Sequence, residues 1–144
     1  MIVLGYDGSE PARRALDAAA ERARDGHQKL LVLAVLEMPL DPNAPRAYGT
    51  AGDGEPLRGP FPEPPEIEEI LTDARGRLEG AGVRADYAWA AGEPATVIVE
   101  AAQARRASAI VVGHHNHTML GRLFGTDVAA DVLRRAGCDV MVVD

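Results

Sequence analysis

The sequence predicts an α/β fold: a single open five-stranded parallel sheet with helices on both faces, of the Rossmann-like or flavodoxin-like kind. Two observations predict it. Five short apolar runs punctuate the chain, and four of them are apolar without alternation, as strands covered on both faces are. Stretches of helical period separate the runs, so the order is βα, βα, βα, βα, β. Buried strands in that alternation call for parallel pairing with crossover helices on either side. Such sheets hold ligands beyond the carboxyl ends of their strands, where the strand order reverses.

The first run spans Ile2 to Tyr6 and turns through Asp7, Gly8 and Ser9. Ser9 is suited to cap a helix, Pro11 lies in its first turn, and Ala12, Ala15, Leu16, Ala19, Ala20 and Ala23 form one apolar stripe that Gly26 stops. Leu30 to Leu36 is the second strand. Met38 to Pro65 then carries eight of the ten prolines and four glycines, a content that disfavours any helix or strand inside it. Two readings stay open for this insertion, a loop without a role of its own or a lid or partner-docking segment on the ligand side of the sheet. Pro65 opens a second helix with Ile67, Ile70, Leu71, Ala74 and Leu78 on one face and Gly80 near its end, and Gly76 weakens its interior. In the third run, 83 to 91, Val83, Ala85, Tyr87 and Trp89 alternate with Arg84 and Asp86 at its start, the pattern of an edge strand with one face partly wet. Pro94 opens a third helix, from about Ala95 to Arg106, and Ala109 to Gly113 is the fourth strand. The last helix begins near Thr126 or Asp127 and sets Val128, Val132, Leu133 and Ala136 on one stripe before Gly137, and Val140 to Val143 closes the sheet.

With 144 residues, 47% of them hydrophobic, one domain over 1–144 is expected, with 38–65 as its loop insertion. Twenty-two acidic residues against 15 basic leave a net charge of -7, with the basic residues dispersed. That speaks against nucleic acid or an anionic membrane as partner. Cys138 is the one cysteine, so no internal disulfide forms and a reducing, cytoplasmic location is expected. It reads as a small apolar residue, not a nucleophile. The start runs directly into an apolar strand, so neither a signal peptide nor a membrane span is expected. No nucleophile elbow, H-E-x-x-H or C-x-x-C motif is present, so no catalytic residue is assigned.

Four stretches, VLGYDGSEPARRAL, GEPATVIVEAA, AIVVGHHNH and VLRRAGCDVMVV, match in order and at the right distances segments of the universal stress protein family. The chain resembles that family throughout, except in the proline-rich insertion. The resemblance implies strand order 3-2-1-4-5, a homodimer, a role in stress response and, in nucleotide-binding members, a G-2x-G-9x-G-[S/T] motif after the fourth strand. In such a motif, glycines let backbone N–H groups approach phosphate, and the closing pair sits at a helix N-terminus. Aligned from the C-terminal segment, the motif positions fall on Gly113, Asn116, Thr126 and Asp127, and only the first keeps its glycine. Asparagine tolerates the turn, and the threonine hydroxyl could still reach a phosphate. Asp127 is costlier: a carboxylate about 4 Å from a phosphate charge costs about 4 kcal/mol at an effective dielectric near 20, about three decades of affinity. The alternative register closes the motif one residue earlier, on Gly125 and Thr126.

The resemblance also places Asp7 where family members contact adenosine and Val35 near the base, with Gly8 and Ser9 completing the turn. The other reading of Asp7 and Ser9 is that they finish a strand and cap a helix. An adenine half-site beside a damaged phosphate half favours adenosine or AMP over ATP. His115 falls where family members also carry histidine. In an extended segment His115 and His117 face away from His114, so solvated loop histidines stand against a metal site of His115, His117 and Asp127.

Two functions follow. One is a stress protein acting through dimerisation and an unidentified protein partner, with weak or no ATP binding. The other is an ATP- or AMP-binding protein, with Mg2+ and at most slow hydrolysis. The apolar strand Val140, Met141, Val142 and Val143 is the expected dimer edge.

Overall fold

Alternate residues of the central strands turn to opposite faces, and the packing follows from that. The computed structural model describes residues 1–37, 48–51, 63–114 and 127–144. The elements in chain order are β1 (Ile2–Gly5), α1 (Glu10–Asp25), β2 (Leu30–Glu37), β3 (Tyr48–Ala51), α2 (Pro65–Leu78), β4 (Ala85–Gly92), α3 (Pro94–Ala104), β5 (Ala109–Gly113), α4 (Val128–Arg135) and β6 (Asp139–Val143). Ile2, Leu4, Val32, Ala34 and Val111 pack with α1 and α2 on one face. Val3, Leu31, Leu33, Ile110 and Val112 pack with α3 and α4 on the other. Both sides of the sheet are therefore core, which is why these runs are apolar at every position.

The sheet order is β3-β4-β2-β1-β5-β6. Its five predicted strands are parallel and stand in the order 3-2-1-4-5, counted along the predicted runs. Val3 lies opposite both Leu31 and Ile110. The chain winds outward from β1 through β2 and β4, then returns to build β5 and β6 on the other side. The crevice of such a sheet opens at the carboxyl ends of β1 and β5.

Three expectations need correction. A strand does form within the proline-rich insertion: β3 pairs antiparallel with β4, Thr50 opposite Ala88. Its four residues, Tyr-Gly-Thr-Ala, contain no proline, so the local sequence leaves strand backbone free to pair. For the same reason β4 is not an edge strand, since β2 and β3 flank it. Its alternation was nonetheless meaningful. Trp89 is buried in the same core cluster against which Val83, Ala85 and Tyr87 pack, while Asp86 forms an ion pair with Lys29 at 2.7 Å. The third correction concerns α4, where Leu133 is 54% exposed and Ala129, Asp131 and Val132 are the buried residues. Residues 132 and 133 are separated by 100° on a helix, so one stripe cannot bury both deeply. Asp131 is held by Arg134.

The first helix matches its prediction: Ala12, Ala15, Leu16, Ala19, Ala20 and Ala23 are all buried, and Ser9 Oγ accepts from Ala12 N. Gly26 caps it at φ -88, and the left-handed residue is His27, at φ 51. On α2, Ile67, Leu71, Ala74 and Leu78 are buried as the period requires.

Candidate functional site

Beyond the carboxyl ends of β1, β2 and β5 lies a cleft of about 110 Å3, whose described lining includes Asp7, Val35, Glu37, Ile98, Gly113 and Val128. It gathers residues from five stretches of chain that only the fold brings together. Asp7 is exposed and accepts from Ser9 N at 3.0 Å and Ser9 Oγ at 2.5 Å. Ser9 Oγ accepts in turn from Ala12 N at 3.3 Å. Gly8 has φ +78, where a Cβ would be strained. The turn therefore caps α1 and also sets Asp7 in the lining of the cleft. Val35 lines the same cleft, half-buried.

Gly113 is needed for a reason the sequence does not display. A Cβ there would sit 2.6 Å from Pro11 C and 2.7 Å from Ala12 N, so the first turn of α1 lies directly on the end of β5. Only glycine admits that approach without a backbone shift. Its presence is explained by helix packing, whether or not a phosphate ever comes near.

Asp127 is the N-cap of α4, accepting from Ala130 N at 3.1 Å. Its other oxygen lies 3.8 Å from His114 Nε2. His114 is half-buried, with Nδ1 3.1 Å from Asp144 Oδ1, and its backbone N–H donates to Val143 O at 2.7 Å. This histidine joins the ends of β5 and β6 to the start of α4. His115, Asn116, His117, Gly125 and Thr126 lie outside the described residues. Among the described residues, no three His, Cys, Asp or Glu side chains are placed to hold a metal ion. No helix among them is long and apolar enough to cross a membrane.

Beneath the β1 turn, buried Tyr6 donates to Asp73 of α2, and Arg13 of α1 reaches the same carboxylate at 3.3 Å. Burial, then the hydrogen bond to Asp73 and its charge, push the Tyr6 phenol up to about 12. The bond from Tyr6, with Arg13 and Arg77 nearby, holds Asp73 below the usual carboxylate range against its own burial. Glu93 caps α3 by accepting from Thr96 N at 3.0 Å, and Arg135 lies 3.2 Å away. Burial pushes its carboxyl up, but the bonds from Thr96 and the Arg135 guanidinium outweigh that and hold it low.

Gly5, Glu37, Pro94 and Ile98 also line the cleft, and sequence reasoning passed over them. Glu37 had a signal, as the first charged residue after seven apolar ones in β2. A Cβ at Gly5 would lie 2.7 Å from Ile98 Cδ1, a closeness that no local pattern reveals.

The family model of the universal stress proteins matches residues 1–144. The chain belongs to the universal stress protein family. A universal stress protein of Mycobacterium tuberculosis is 35% identical over 144 residues, covering 99% of this chain and 94% of the relative. Among solved structures of universal stress proteins, one in complex with cAMP is 30% identical with a TM-score of 0.70, covering 99% of this chain and 94% of that one. Another, from Archaeoglobus fulgidus in complex with dAMP, is 26% identical with a TM-score of 0.66, covering 99% and 96%. As in the predicted fold, the universal stress protein sheet is parallel in its five principal strands.

Proposed function

We propose that this universal stress protein acts in stress response as a homodimer joined through Val140 to Val143, working through a protein partner, with weak or no binding of ATP. The observation that carries the ATP part is Asp127. Its carboxylate occupies the N-terminus of α4, where a nucleotide-binding member would offer a hydroxyl and free N–H groups to phosphate. That α4 starts at Val128 with Asp127 as its cap supports the register in which Thr126 and Asp127 close the motif.

A second reading, an adenine-nucleotide binder, is favoured by the cleft itself, with Asp7 and Val35 in its lining. Two relatives are known with one-phosphate adenine ligands, cAMP and dAMP. Any Mg2+ would arrive with the phosphates of ATP.

Calorimetric titration of nucleotide-stripped protein with ATP and AMP, with and without Mg2+, separates the readings. Millimolar or undetectable ATP binding is expected, and micromolar or tighter ATP binding overturns the first reading. Thr126→Gly combined with Asp127→Ser should strengthen ATP binding by up to about a thousandfold, the cost of one close carboxylate. No gain would count against the register.

A further inference from the structure

We propose that the protein carries a second ligand site at the other end of the sheet, a cavity between α3, β5 and the turn from α4 to β6 that takes a small carboxylate with a ring or a branched chain. The cavity measures about 140 Å3, close to the roughly 150 Å3 that holds one benzene ring in an apolar interior. Ile110 lines it, three residues before Gly113, so it lies roughly 10 Å along β5 from the cleft described above. The inference stands whether or not a nucleotide binds in that cleft.

The lining grades from apolar to polar as it becomes more exposed. Val99, Ala102 and Ile110 are buried and aliphatic, and water held against such a floor makes few hydrogen bonds. Ala136 and the Cys138 thiol, both half-buried, continue the wall. Burial, then the charge of Asp139, push that thiol up, so it stays neutral and behaves as a small apolar group. At the rim stand Gln103, Arg106 and Gly137, all exposed. A Cβ at Gly137 would meet no heavy atom within 4 Å, so the mouth is open on that side.

Charge decides the class of ligand. Arg106 is the one charged residue among the described lining residues, and neither its guanidinium nor the Gln103 amide has a partner among the described residues. Asp139, next in the chain after Cys138, is paired with Arg22 of α1 at 3.5 Å. Two helices, α3 and α4, end here, and carbonyls of their last turns already accept: Ala101 O from Arg105 N, Ala102 O from Ala107 N and Val132 O from Ala136 N. That reduces the partial negative charge a helix C-terminus presents. A guanidinium and an amide above an aliphatic floor suit a carboxylate on a short apolar body, since both donate to carboxylate oxygens.

Titration of the isotope-labelled protein with benzoate, followed by NMR, tests this. Amide shifts should centre on residues 102–107 and 136–138. The dissociation constant should be about 0.1–1 mM, within reach of a ligand of about nine non-hydrogen atoms. Benzyl alcohol, alike in size but uncharged, should bind about tenfold more weakly, and so should benzoate to Arg106→Gln. Binding should weaken as salt rises. Ala136→Leu should abolish it by filling the cavity, and bound benzoate should slow alkylation of Cys138, the one cysteine. Shifts confined to the cleft at β1 and β5, no shifts up to about 10 mM benzoate, or benzyl alcohol binding as tightly as benzoate overturns the inference. So does Arg106→Gln, or a folded Ala136→Leu, that binds benzoate as the wild type does. If Ala136→Leu does not fold, Arg106→Gln and the alcohol decide.

Discussion

Tyr6 is a residue whose place in the sequence suggests only the end of a strand. In the fold its phenol is buried and bonded to Asp73, 67 positions away, and Arg13 reaches the same side chain, so β1, α1 and α2 meet at one carboxylate. Its folded pKa of about 12 lies above the ordinary 10.0. The stabilisation this implies is therefore complete below pH 10 and is lost as pH rises toward 12. Difference titration of phenolate absorbance between the wild type and Tyr6→Phe should show a tyrosine ionising near pH 12. Ionisation of that group near pH 10 would mean that the bond to Asp73 is not kept in solution. Gly113 teaches a related lesson. It matches the first glycine of a phosphate motif, yet the contact with Pro11 and Ala12 would demand glycine there in a protein that never met a nucleotide.

At the scale of elements, helices were legible where their apolar stripe was unambiguous. All six apolar positions predicted inward on α1 are buried, since a period of 3.6 determines a face without reference to anything distant. The eight-residue α4 is too short for that, and its stripe was drawn one residue too wide. Val132 is fully buried and Leu133 is 54% exposed. Val132→Ala should cost about 2 kcal/mol, two buried carbons plus part of a cavity, and Leu133→Lys no more than about 0.5 kcal/mol. Urea unfolding of the two variants checks the difference, and the reverse ranking would restore the broader stripe. The short β3 failed in sequence reasoning for another reason: proline counted over 28 residues masked a proline-free stretch of four.

For the whole molecule, the question is which sheet edge is left uncovered. On one side β3 pairs along β4 and closes off the principal strands, while on the other β6 has β5 as its one partner among the described strands. Val142 is 36% exposed there and its neighbours Val140, Met141 and Val143 are half-buried. An apolar edge of this kind pairs most economically with its own copy, since one two-fold axis satisfies both strands at once. Val142→Lys should shift the protein from dimer to monomer in analytical ultracentrifugation. A dimer as tight as the wild type's would place the interface elsewhere.

The sequence by itself determined the order of the elements other than β3, the five parallel strands, the inward faces of α1 and α2 and the family, because each is written in local periodicity or in short contiguous motifs. Only the tertiary structure decided that β4 is internal, that Gly113 makes room for a helix, that Tyr6 and Asp73 share a proton donor and acceptor, and that Glu37 stands in the cleft with Asp7. The physical reason is common to all four. Each depends on which distant segments come within a few ångströms of one another, and close approach between segments far apart in the chain leaves no period in either of them.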